Sequence, residues 1–235
     1  MKDLSVVWTE TVDILEVRFG LAAVQEIIGD LQTITFRKGF FYAAPSVNVF
    51  GNWIIPSLPE GAPYRSLQWY IDQSYDRARR SVIGSKLLEL IVNEPWQKSN
   101  AHYDLFLLGQ SLVPTAEYPS GQQVLALSMP GRATVISAVP LRQIQDDRLR
   151  LFTIRRVVGH QLGHLIGVPS PSRPETILEP SGERHCPNVC VMRDSPELEK
   201  LVQMALEELR AHVMLCPACR QDLLDMMMDA YFGRN

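Results

Sequence analysis

Apolar residues change their spacing several times along this chain, and each change marks an element. Leu4 to Trp8 is a short apolar run of strand length. From Val12 to Leu31, Leu15, Val17, Leu21, Val24, Ile27 and Ile28 recur at helical spacing and predict a helix, with Gly20 its weak point. Thr33 to Tyr42 predicts extended chain, and the proline-bearing stretch Ala44 to Ala62 predicts a long loop. Tyr64 to Glu94 carries two helical patterns broken near Val82-Ile83-Gly84. Tyr103 to Leu108 reads as a strand ended by Gly109. Gln122 to Ser128 and Thr134 to Val139 are β-rich, and Met129-Pro130-Gly131 between them predicts a hairpin turn.

Asp146 to Ile166 is the strongest helical pattern. Two acidic residues open it, and Gly167 then Pro169 close it. Val168 to Arg184 contains Pro169, Pro171, Pro174 and Pro180 with scattered charge, and predicts an irregular loop. Pro196 to Val213 and Pro217 to Tyr231 predict two further helices. Strands lie mainly before the late helices, so the expected class is α/β or α+β with one mixed sheet. A chain of 235 residues is within reach of one domain, and residues 1–235 are expected to form one.

Composition narrows the function. The net charge of -3 gives no electrostatic basis for nucleic-acid binding. No apolar run is long enough to span a bilayer, so no membrane partner is expected. The opening Met1-Lys2-Asp3-Leu4 and its short apolar stretch do not read as a signal peptide, and a cytoplasmic location is expected. Cys186, Cys190, Cys216 and Cys219 are then thiols in a reducing compartment, which points to metal or redox chemistry rather than disulfides.

His160 and His164 leave one face of the strong helix one turn apart, so they can share a metal ion. Such pairs also occur as ordinary structural histidines. The flanking residues favour the metal: Val157-Val158-Gly159 precedes and Leu165-Ile166-Gly167 follows, giving H-Q-x-x-H-x-x-G. In zinc metalloproteases the pattern is H-E-x-x-H, with the glutamate as general base, and here that position is Gln161. Downstream stand His185-Cys186, then Cys190, Met192 and Cys216-Pro217-Ala218-Cys219. The last four residues precede a helix, as redox C-x-x-C motifs do, but too little chain follows for a thioredoxin unit. Tetrahedral thiolate coordination accounts for both cysteine pairs. A metal-free thiol cluster is the alternative.

That order resembles the archaemetzincins, metzincin-type zinc metalloproteases whose signature runs H-E-x-x-H-x-x-G-x-x-H-C, a second cysteine, x-Met, then C-x-x-C. The resemblance spans Val157 to Cys219. It implies a metzincin-like fold, with a sheet and helices in residues 1–150 and the zinc-binding part in 151–235. It implies two zinc ions. His160, His164 and His185 would hold the catalytic ion, and Cys186, Cys190, Cys216 and Cys219 the structural one. Met192 would be the methionine under the catalytic site, and a peptide or protein the substrate. The sequence departs from the family in three ways. Gln161 replaces the general base. Fifteen extra residues, Ser170 to Arg184, precede His185. The cysteine spacings also differ. If His185 does not return, Glu175, Glu179 or Glu183 could supply the third ligand, or a carboxylate in place of the base. His212 is a fallback for the thiolate site, and His102 reads as an ordinary histidine. Gln161 is compatible with a weakened enzyme, with a peptide-binding pseudo-peptidase, and with a substitution that traps an inactive form. A cysteine-zinc nucleic-acid binder fits poorly with the charge.

Overall fold

The computed structural model describes residues 1–39, 45–52, 66–119, 121–179 and 182–232. Contacts group the chain into two compact units. One holds Lys2–Val17 and Ser46–Gln143; the other holds Arg18–Pro45 and Ile144–Asn235, with Met1. In chain order the elements are β1 (Leu4–Trp8), α1 (Ile14–Arg37), β2 (Val47–Gly51), α2 (Leu67–Ser74), β3 (Tyr75–Asp76), β4 (Ser81–Ile83), α3 (Gly84–Val92) and α4 (Pro95–Ser99). There follow β5 (Tyr103–Leu108), β6 (Ser111–Val113), β7 (Ala126–Met129), β8 (Ala133–Ser137), a 3-10 turn (Pro140–Gln143) and α5 (Asp147–Leu165). The chain continues with β9 (Ile177–Leu178), β10 (Arg184–His185), α6 (Leu198–Ala211) and α7 (Pro217–Phe232). The class is mixed α/β, as the order of predicted elements implies.

The first unit is built on a sheet of order β2-β1-β5-β8-β7. β1, β2, β5 and β8 run parallel, and β7 pairs antiparallel with β8 across the predicted hairpin turn. β1 and β5 lie inside the sheet, so their residues are buried almost throughout and show no alternation. Val7, Phe106, Leu108 and Val135 pack with Tyr70 and Ile71 of α2 and with Leu87 and Ile91 of α3 in one apolar cluster. β3 and β4 occupy the break between the two helical patterns of 64–94 and join β6 in a smaller sheet of order β3-β4-β6.

The second unit is helical. α5 begins at Asp146, whose Oδ1 accepts hydrogen bonds from Arg148 N at 2.8 Å and Leu149 N at 3.0 Å. It ends in a Schellman arrangement: Val168 N donates to Gly163 O at 2.8 Å, and Gly167, at φ +88°, donates to His164 O at 3.1 Å. Gly20 on α1 lets that helix come close to α5, because a Cβ there would sit 3.2 Å from Val158 Cγ2. The glycine that weakens the helical pattern is thus a packing contact.

Two stretches differ from the sequence reading. Thr33 to Arg37 is not extended but the last turns of α1. The β-branched residues are accommodated because Thr33 Oγ1 donates to Gly29 O at 2.8 Å and Thr35 Oγ1 to Leu31 O at 2.9 Å, one turn back. Residues 40–42 of that prediction lie outside the described residues. Within the predicted loop 44–62, Val47–Gly51 forms the edge strand β2, while 44 and 53–62 lie outside the described residues.

One buried ion pair ties α5 to α6. Arg156 and Glu208 are 2% and 4% exposed, with Nε 3.2 Å from Oε1. Arg156 also donates to Arg193 O. Burial lowers the guanidinium's basicity and raises the Glu208 carboxyl, each against the pull of its partner. Replacing Arg156 with Met leaves buried Glu208 with only Arg193, its Nη2 3.6 Å from Oε1, as a cationic partner. The expected cost is about 3–5 kcal/mol in equilibrium denaturation; a loss below about 1 kcal/mol would show that the pair does not hold these helices.

Candidate metal centres

α5 places Arg156, His160 and His164 on one face, each four residues from the next. His160 is buried, and its Nδ1–H donates to Val191 O at 2.9 Å. That bond fixes the tautomer, so Nε2 carries a bare lone pair. His164 Nε2 lies 3.1 Å from it. The His185 ring stands 5.3 Å from that of His160 and 5.1 Å from that of His164, centroid to centroid. One nitrogen from each of the three lies within 4.8 Å of the others.

His185 is 3% exposed, and neither of its ring nitrogens has a hydrogen-bond partner. A hydrogen bond between His160 and His164 would use one proton and leave His185 orphaned. A cation accepts a lone pair from all three, so the donor set fits a zinc ion. The electrostatics agree. Burial first, then the neighbouring His164 and Arg156, hold His160 far below the ordinary imidazole range. Burial and His185 bring His164 down to about 4. Both rings are therefore neutral near pH 7, the form that binds metal.

His185 returns because the fifteen-residue insertion folds on itself. β9 and β10 pair antiparallel, with Arg184 opposite Leu178 and His185 opposite Ile177. Glu179 N donates to Glu183 O at 2.9 Å and closes the hairpin, while Arg184 Nη1 donates to Thr176 Oγ1. The predicted irregular loop therefore contains a two-stranded element that sets the register of His185. Of the three reserve carboxylates, none joins the imidazole group; Glu179 comes nearest, its Oε1 3.9 Å from His185 Nδ1.

Cys186, Cys190, Cys216 and Cys219 are buried free thiols whose sulfurs lie within 4.8 Å of one another. Cys186 Sγ and Cys216 Sγ are 3.6 Å apart, close to the separation of about 3.8 Å that a tetrahedron with Zn–S near 2.3 Å requires. Donors surround the sulfurs. Cys216 N points at Cys190 Sγ at 3.3 Å, Asn188 Nδ2 at Cys186 Sγ at 3.7 Å, and the Arg173 guanidinium at Cys219 Sγ at 3.5 Å. Hydrogen bonding from Cys190 pulls the Cys186 thiol down to about 6, while proximity to the other sulfurs pushes Cys190 and Cys219 up. All four can ionise together only beside a cation. His212 takes no part: it is exposed and caps α6 in the left-handed region.

Arg173 and Asn188 were not recognised in the sequence. Asn188 sits between two cysteines, which is a weak signal. Arg173 is one cation among the scattered charges of the insertion, and only its ion pair with Asp222 at 2.8 Å aims it.

Met192 is fully buried against α5, where its Sδ and Cε occupy the space a Cβ at Gly163 would need. Gly159, one turn earlier, is bounded by Met214 Sδ at 3.0 Å and Val191 Cγ2 at 3.2 Å in the same sense. Two glycines four apart thus form a groove for Val191 and Met192. Gln161 is half-buried on the same helix. Among the described residues no helix is long and apolar enough to cross a membrane.

Gly163→Ala should cost about 1–3 kcal/mol by overpacking Met192. In a double-mutant cycle with Met192→Ala, the pair should cost less than the sum by about 0.5–3 kcal/mol. Additive costs would place Met192 elsewhere.

No protein-family model matches the chain, and no curated protein sequence does. Solved structures do. A crystal structure of archaemetzincin from Methanopyrus kandleri is 18% identical with a TM-score of 0.55, over 97% of this chain and 96% of that one. Archaemetzincin from Archaeoglobus fulgidus, complexed with malonate, is 18% identical with a TM-score of 0.52, over 94% and 99%. The shared architecture gives this chain the archaemetzincin fold.

Proposed function

We propose that the chain binds two zinc ions and is a divergent metallopeptidase of archaemetzincin type acting on peptides. His160, His164 and His185 would hold one ion, and Cys186, Cys190, Cys216 and Cys219 the other. The observation that carries the reading is the convergence of three imidazoles, two of them fully buried and one with no hydrogen bond at either nitrogen. The four unpaired cysteines favour a reducing compartment such as the cytoplasm, and residues 1–235 are taken to work as one domain.

A zinc ion in the imidazole site would polarise a scissile carbonyl and acidify water. Val191 O orients His160 for that role, and the hairpin carrying Glu179 orients His185. Gln161 is the weak member. A carboxamide can hold a water by hydrogen bonds but is a negligible base. Without a carboxylate to take the proton, peptide hydrolysis is slower by about 10²–10⁴-fold.

That same residue favours a second reading, a non-catalytic module that keeps the zinc sites and binds peptides. The two separate by experiment. Gln161→Glu should raise peptide cleavage by about 10²–10⁴-fold at unchanged zinc content if the site is otherwise complete. Cleavage in neither form would leave the binding module. Elemental analysis should find one zinc fewer in His185→Ala and one fewer in Cys216→Ser; unchanged metal in His185→Ala would overturn the ligand assignment.

A further inference from the structure

A third convergence of ligand atoms lies within the sheet-bearing unit. Glu94, at the start of α4, His102, in the turn before β5, and Asp104, the second residue of β5, are all buried, with one donor atom from each within 4.8 Å of the others. We propose that these three side chains bind a divalent transition-metal ion, zinc in the first instance, as a structural site of nitrogen and oxygen ligands.

The argument begins with what holds each side chain. His102 Nδ1 donates to Asn100 O at 2.6 Å, so in the neutral ring Nε2 carries the lone pair. Tyr70 Oη donates to Glu94 Oε2 at 2.6 Å, and Gln97 Nε2 donates to Asp104 Oδ2 at 2.6 Å. The outer atom of every group is thus occupied, and the inner atoms face one another. His102 Nε2 is 3.3 Å from Asp104 Oδ1 and 3.8 Å from Glu94 Oε1. Two ligands about 2.0–2.1 Å from one tetrahedral ion are separated by about 3.3–3.4 Å. Nε2, in a residue 1% exposed, meets only these two carboxylate oxygens and satisfies hydrogen-bond geometry with neither. An imidazole with Nδ1 bound to a carbonyl and Nε2 turned to a common point is also the arrangement of His160.

A second unsatisfied polar atom lies beside Asp104. Ser5, opposite Asp104 in the β1–β5 register, is 1% exposed, and its Oγ has no hydrogen-bond partner. It lines a cavity of ≈ 20 Å³ with Glu94, Asp104 and Tyr70 and the apolar Val7, Phe50, Leu67, Trp96 and Phe106; His102 is not part of that lining. Charge also balances. Two carboxylates and a neutral imidazole sum to minus two, which one divalent ion cancels. The ion would clamp the α3–α4 junction to the central strand β5.

The competing arrangement has no metal. In it His102 stands as an ion pair between the two carboxylates, its Nε2 3.3 Å from Asp104 Oδ1 and 3.8 Å from Glu94 Oε1. The full chain, loaded with zinc chloride alone and dialysed against metal-free buffer, separates the two. His102→Ala should hold one zinc fewer than the unsubstituted chain, while His185→Ala and Cys216→Ser lose theirs independently. Equal zinc in the unsubstituted chain and His102→Ala would overturn the proposal, whatever the other two sites bind. If His102→Ala does not fold, anomalous scattering at the zinc edge from crystals of the unsubstituted chain decides. A peak between His102 Nε2, Glu94 Oε1 and Asp104 Oδ1 is expected, and its absence overturns the proposal.

Discussion

The close seating of residues 190–192 against helix α5 governs the arrangement of both C-terminal clusters. Gly159 and Gly163 remove the Cβ atoms that would hold this segment away, and Val191 and Met192 fill the groove. The segment is hooked at each step. His160 donates to Val191 O, Val191 N donates to Met214 O, and Cys186 N donates to Met192 O. His185 and Cys186 are adjacent in sequence, as are Cys190 and Val191. One strip of backbone therefore sets the third imidazole, two of the four thiols and the orientation of the first imidazole together. Interiors are close-packed, so a shift of this strip would be felt in both groups at once.

The polar groups around the clusters follow from burial. Arg156 stands one turn before His160, neutralises Glu208 and holds the Arg193 carbonyl just beyond Met192. Arg173 sets its guanidinium between Asp222 and Cys219. In low-dielectric surroundings such charges are costly alone and useful in register, because each orients a neighbour as well as balancing it. The insertion between Gly167 and His185 fits the same logic. Its length is entropically inexpensive, since loop closure depends only weakly on length, and its hairpin restores the geometry that a shorter connection would impose directly.

Much of this was legible in the residues. The strands Leu4–Trp8 and Tyr103–Leu108 and the helix α5 stood out because local spacing and capping determine them: apolar runs bounded by turn residues, and Asp146 and Gly167 at the ends of α5. The paired histidines and cysteines were visible because ligand chemistry requires short fixed spacings. Only the tertiary structure could decide the rest. Thr33 and Thr35 read as extended by propensity, but a backbone carbonyl one turn back satisfies each hydroxyl within α1. Val47–Gly51 is a strand because β1 offers it a pairing edge. The return of His185, the aim of Arg173, and the meeting of Glu94 with His102 and Asp104 depend on side chains oriented by neighbours distant in sequence. No periodicity encodes those orientations, since they arise only when burial leaves each polar atom one available partner.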